Sequence, residues 1–235
     1  MPKSVSLTLL FALSFPFLAF AKTDSIPSKY FSLGPRKAGI CFGDAPVYSG
    51  FKFGLLNDDV RKMNGFDVSL LNVDRDYEGI TNGISIGAGL NSISRNNGIA
   101  IAGIWNTVSR ENGIMLSPIN LVQKMNGYVA GAVLVADTLN GLVTSYTLQS
   151  RQKEGDSLRN RVNGMAICII FTNVNEVRGV AISAYNSSYQ HKGLAVGGFN
   201  KTNRLKGVQL GLYNIAMNNP KGLRRLPLIN AHFGK

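Results

Sequence analysis

One short unit recurs along most of this chain, and that recurrence limits the folds open to it. Glycines that open an apolar-alternating run fall at Gly50, Gly65, Gly83, Gly98, Gly113, Gly127, Gly141, Gly164, Gly179, Gly193, Gly207 and Gly222. Most spacings are 14 or 15 residues, stretched to 18 before Gly83 and 23 before Gly164. Seven of the twelve glycines follow Asn. The unit reads Gly, apolar, variable, apolar, small, apolar, apolar, Asn. Clear copies are GFKFGLLN at Gly50–Asn57, GVAISAYN at Gly179–Asn186 and GVQLGLYN at Gly207–Asn214. The period is shorter than the common solenoid repeats of 20–50 residues.

The alternation within a unit is that of a strand. In Gly207–Asn214, Val208, Leu210 and Leu212 share one face, and Gln209, Gly211 and Tyr213 share the other. One face is consistently aliphatic, and it either packs as a core or faces lipid. The other carries a small residue at its centre, as at Gly54, Ser117, Ser183 and Gly211. Small residues at one level of every strand permit the curvature of a closed sheet. Asn-Gly is a strong hairpin signal, because both residues accept positive φ. The expected fold is therefore all-β: an antiparallel up-and-down β-barrel of about twelve short strands, closed so that no edge remains. The alternative is a β-solenoid, in which stacked copies align Asn57, Asn72, Asn120, Asn186, Asn200 and Asn214 into a ladder.

Composition agrees with many turns and few helices. There are 26 Gly and 23 Asn among 235 residues, and only 16% are charged. The chain is too apolar for disorder. Two Cys and two His make neither a disulfide scaffold nor a convincing zinc site, so no metal or cofactor is expected. Cys168 lies in an apolar run and reads as a buried free thiol, and Cys41 is its one conceivable disulfide partner.

Residues 1–21 have the pattern of a signal peptide: Lys3, an apolar run from Leu9 to Phe20, and the A-x-A site Ala19-Phe20-Ala21. The run is short for a membrane span and contains Pro16. Removing it leaves 24 basic and 13 acidic residues. Residues 22–49 form an entry segment with candidate strands at Tyr30–Leu33 and Ala38–Phe42, and residues 50–235 form the repeat domain. Val73–Thr81 and Gln149–Val162 interrupt the period and read as surface loops.

The units, above all GVQLGLYN, and the ending LPLINAHF at Leu226–Phe233 resemble the uncharacterised bacterial surface-repeat proteins. Those carry NG-apolar-Gln-apolar-Gly-Leu-apolar-Asn units and have been described as β-flower-like barrels. The resemblance covers residues 50–233. It implies export and membrane association, and it supplies no activity and no catalytic residues.

The residues themselves do not point to an enzyme. His191 lies in the stretch SSYQHKG and His232 near the end; neither has a catalytic motif around it. Asp58 and Asp59 read as a solvated turn. Charge is more informative. All acidic residues lie at or before Glu176, and nine basic residues follow it. Among these, Lys201, Arg204, Lys206, Arg224 and Arg225 are the candidate contacts for anionic lipid or lipopolysaccharide phosphates. Export argues against nucleic acid, as does the lack of a basic stripe interleaved with aromatics. The expected protein is a non-enzymatic component of a bacterial periplasm, outer membrane or cell surface. An integral outer-membrane barrel, as a small pore or surface antigen, is the alternative. The sequence leaves the oligomeric state open.

Overall fold

The computed structural model describes residues 30–35, 37–58, 60–74, 78–150 and 160–234. The expected signal peptide, Asp59 and most of the second long loop lie outside the described residues. Ten strands follow in chain order: β1 (Tyr30–Leu33), β2 (Ala38–Gly43), β3 (Val47–Asn57), β4 (Lys62–Val73), β5 (Ile80–Ala102), β6 (Trp105–Leu116), β7 (Ile119–Ser150), β8 (Arg161–Ile182), β9 (Tyr185–Ala216) and β10 (Arg225–His232). They lie side by side in sequence order. From β2 to β9 every pair of neighbouring strands is parallel. This is a β-solenoid of about ten turns, the alternative of the two expected architectures, and not a barrel. The pore reading required a closed antiparallel sheet, which the described residues do not form.

The register explains why the barrel expectation fails. Gly50 pairs with Gly65, Gly65 with Gly83, and Gly98 with Gly113. The glycines sit inside continuous strands and not at hairpin tips. Eleven of them, from Gly50 to Gly207, share φ between 121° and 146°. That value is far from the left-handed pair of a type I′ turn. The side chains two residues before and two after each glycine point inward, as with Glu111 and Met115 around Gly113. The residues between them face outward. The chain therefore bends at the glycine instead of reversing. At Gly113 an added Cβ would run into the backbone carbonyl of Gly98 in the coil beneath, so only glycine fits. The twelfth glycine, Gly222, is not a unit marker. It lies in a 3₁₀ turn at Lys221–Leu223, with nothing near its missing side chain.

The small mid-strand residue also has a different cause from the one expected. The unit's Asn points inward across the coil, over that residue. Asn120 donates to the Ser117 carbonyl at 2.9 Å and to the Ala130 carbonyl of the next coil at 2.9 Å. Asn186 repeats this with Ser183 at 3.4 Å and Val196 at 2.9 Å. It also donates to the Asn200 oxygen at 2.8 Å, and Asn200 donates to Asn214 at 2.7 Å. These amides are second donors to the next coil, because Ala130 also accepts the Ser117 N–H at 3.3 Å and Val196 the Ser183 N–H at 3.0 Å. Each added bond fixes one coil on the next for a net gain of about 1 kcal/mol. A Cβ at Gly211 would press on the Asn200 amide, so the position must stay small.

The interior is narrow. Its central coils hold the larger apolar cluster, with Ala100, Met115, Val129, Val143, Ala166 and Ala181. A smaller one, Cys41, Ala45, Tyr48, Val60 and Met63, lies at the N-terminal end beside buried charges. Lys52 and Asp67, both fully buried, face each other at 3.8 Å on adjacent coils. Asp67 also accepts from Asn57 at 2.7 Å and from Asn72 at 3.3 Å. Cys41 and Cys168 are both buried free thiols. Both ends of the stack change pairing sense: β1–β2 and β9–β10 are antiparallel. The last strand carries Pro227 and a register shift between Leu226 and Leu228. Such features blunt an edge that would otherwise recruit another chain.

Candidate functional site: an uncharged side with a basic flank

The aliphatic face identified in the sequence points outward. Phe51, Phe53 and Leu55 are exposed, whereas Lys52 between them is fully buried. At the other end Leu210 and Leu212 are exposed and Gln209 is fully buried. The interior takes the alternate residues, among them Met115, Met125, Leu134, Leu148 and Leu205, so strand alternation puts Phe51, Leu55, Leu210 and Leu212 outside. On each coil the first, third and fifth residues after the glycine line one side up to a bend, and the residue just before the inward Asn, or before Leu134, Leu148 and Thr172 in its place, lies directly past that bend. Over eleven coils not one of these positions is charged. Ile99, Ile114 and Tyr128 form part of the first column, and Ile101, Leu116 and Ala130 part of the second. Leu55 is 79%, Leu212 77% and Ile169 63% exposed. Aromatics stack within the columns: Phe51 on Phe66 at 5.0 Å, Phe42 on Phe53 at 5.8 Å, Tyr185 on Phe199 at 5.1 Å.

The size of this side sets it apart. Eleven rungs at ~4.8 Å give a length of ~50 Å, and five residues at ~3.3 Å give a width of ~17 Å. The area is on the order of 800 Å², above the ~300–600 Å² of the largest apolar patch on an ordinary monomer. The protein's single Trp, Trp105, opens β6 just past the bend that bounds this side, in the uncharged column between Leu90 and Ile119. Its buried indole N–H has no hydrogen-bond partner among the described residues.

The side before each glycine is polar. Immediately before the glycine stands an amide ladder. Asn82 donates to Asn64 at 2.8 Å, Asn97 to Asn82 at 2.8 Å, and Asn112 to Asn97 at 2.8 Å. The chain continues through Asn126, Asn140 and Asn163 with every donor pointing the same way. It then changes to Arg178, Lys192 and Lys206. Third before the glycine is a second outward column, containing Lys62, Arg95, Arg110, Lys124, Arg161 and Arg204. Glu176 interrupts it and holds three cations: Arg178 Nε at 2.8 Å, Arg161 Nε at 2.9 Å and Lys192 Nζ at 3.6 Å. Burial opposes its charge, but these partners prevail and hold its carboxyl below the usual value.

The expected anion contacts divide. Lys206 and Arg204 lie on this basic flank, with the Arg204 guanidinium 5.5 Å from the Tyr189 ring. Lys201 follows the inward Asn200 and lies on a different side of the coil. Arg224 is spent on the cap, donating to the Asn219 carbonyl at 2.9 Å. Arg225 opens β10. Arg161, Arg178 and Lys192 were missed as a group, and only stacking the coils by register brings them together.

His191, expected in a connection, lies within β9 and is 1% exposed. Burial pushes its pKa down to about 4, and its Nε2 has no partner among the described residues. His232 is in β10 as expected, with Nδ1 2.6 Å from Asn219 Oδ1. Asp58 shares a hydrogen bond with Asp44, whose carboxyl burial lifts to about 6. Among the described residues no cluster of His, Cys, Asp and Glu could hold a metal ion. No protein-family model, curated protein or solved structure matches the chain.

Proposed function

We propose that this is a non-enzymatic, exported cell-envelope protein that lies on an anionic membrane surface through the uncharged side of its solenoid. One observation carries the reading: eleven coils present outward apolar columns without a single charge, bordered across the glycine bend by a column of Lys and Arg. An interfacial protein needs both features. Apolar area enters the boundary between head groups and acyl chains, and flanking cations meet anionic lipid. The parallel ladder keeps equivalent side chains in register along the stack, so many reach the interface together. Indole and phenol rings, such as those of Trp105, Tyr128, Tyr146 and Tyr185, are favoured at that depth. The signal-peptide pattern gives the route out of the cell.

The test is sedimentation with vesicles of phosphatidylglycerol and phosphatidylcholine. The wild type binds, and it binds less at high salt, because the basic flank is screened. The double variant Ile114→Asp/Leu116→Asp places two carboxylates mid-side, and is expected to bind at least tenfold more weakly while keeping its β-sheet circular dichroism. Equal binding by wild type and variant contradicts the reading.

A further inference from the structure

The amide ladder ends abruptly, and what replaces it looks built for an anion. Identical amides pair well when stacked, whereas like charges in register repel. Yet Arg178 and Lys192 are register partners, and Lys206 stands on the next coil. Such a column carries a repulsive cost, as Arg95, Arg110 and Lys124 do on the same flank, and an anion over it offsets that cost. Within the fold only Glu176 does so, holding Arg178, Arg161 and Lys192. Among the described residues Lys206 and Arg204 have no carboxylate partner. Five cations thus stand on adjacent coils with one carboxylate, which pairs with three of them. Glu176 also fixes both guanidiniums through their Nε atoms, and a planar guanidinium held in place is suited to phosphate oxygens. This cluster adjoins the uncharged side, because Val180, Leu194 and Val208 come directly after the glycines that follow Arg178, Lys192 and Lys206.

We propose that Arg178, Lys192 and Lys206, with Arg161 and Arg204 beside them, bind the phosphate of a lipid head group whose acyl chains meet the neighbouring uncharged side. This site rests on the membrane-surface reading and goes further. It makes one end of the basic flank a phosphate site, and leaves the rest as diffuse positive charge.

The experiment compares two triple variants that lose the same charge. Arg178→Gln/Lys192→Gln/Lys206→Gln removes the site, and Lys62→Gln/Arg110→Gln/Lys124→Gln removes charge from the flank elsewhere. Both are measured against phosphatidylcholine vesicles with and without phosphatidic acid, after circular dichroism has confirmed the fold. The site variant is expected to lose at least tenfold in affinity for phosphatidic acid vesicles, and the control at most threefold. Inorganic phosphate at constant ionic strength should compete for wild-type binding better than chloride does. Equal losses in the two triples overturn the site and leave the membrane reading standing. So does indifference to phosphate. If inorganic phosphate stabilises the wild type against heat while phosphatidic acid adds nothing to vesicle binding, the lipid assignment is overturned. A wild type that binds no vesicle overturns both readings.

Discussion

Gly113→Ala is expected to cost about 3–5 kcal/mol or to abolish folding, although it adds one methyl group. The φ of 145° at Gly113 is one that residues with a side chain rarely adopt. The new Cβ would also meet the Gly98 carbonyl, and that group is backbone inside a ladder. Neither coil can retreat without breaking hydrogen bonds to its neighbours. Gly222→Ala is the matched control, since nothing lies within 4 Å of its missing side chain. It should stay within about 0.5 kcal/mol of wild type. Urea unfolding followed by circular dichroism separates the two. A Gly113→Ala protein as stable as the Gly222→Ala protein would contradict the in-register stack.

The second large effect is a fall in stability between about pH 6.5 and 8. Glu111 is fully buried, with Asn96 Nδ2 2.9 and 3.0 Å from its two oxygens. Burial lifts its carboxyl from 4.5 to about 8, against the smaller opposing pull of Asn96. Across that range the folded chain holds a proton that the unfolded chain has released. Its contribution is complete below pH 4.5, and is lost at about 1.4 kcal/mol per pH unit until pH passes 8. His191 works in the opposite sense. Its pKa drops from 6.5 to about 4, so its contribution is present above pH 6.5 and is lost as pH falls toward 4. Below pH 6.5 the two slopes oppose each other; above it the Glu111 slope stands without that opposition. Asp67 has the same sign of pH dependence, because burial raises its carboxyl against the opposing pull of Lys52. The unfolding free energy should fall by about 2 kcal/mol from pH 6.5 to 8, and Glu111→Gln should remove most of that fall. Urea midpoints at the two pH values check it, and an unchanged slope in Glu111→Gln would refute it.

Much of the fold was legible, but not its handedness of pairing. The unit, its period, the two entry strands and the interruptions all follow from glycine spacing and alternation. Parallel against antiparallel does not, because Asn-Gly serves both a hairpin tip and a bend. Alignment of Asn57, Asn72 and Asn120 pointed to a ladder, but the strand alternation suited a barrel equally well. The decisive quantity is the φ of the glycine, which depends on the coil beneath it. The faces show a similar limit. In a two-layer protein the aliphatic face would go inside; here the inward column two residues after the glycine holds Ala100, Met115 and Val129, and Ile114 and Leu116 on the alternate positions stay out. The site was half legible for the same reason. Lys206 and Arg204 stood out as charges near the end of the chain. Arg161 joins them only because Gly164, Gly179, Gly193 and Gly207 stack, which places residues 161, 178, 192 and 206 on one flank.

Trp105 gives the most direct measurement of whether the uncharged side meets a membrane, because it is the protein's single tryptophan and stands in the uncharged column at the edge of that side. Its fluorescence is followed as vesicles of phosphatidylglycerol and phosphatidylcholine are added, with bromine on the acyl chains in one set. The emission is predicted to shift to shorter wavelength, and the brominated lipids to quench it. Ile114→Asp/Leu116→Asp should lose both effects. Vesicle binding that leaves the Trp105 emission unshifted and unquenched would show that another surface makes the contact, and would contradict the account.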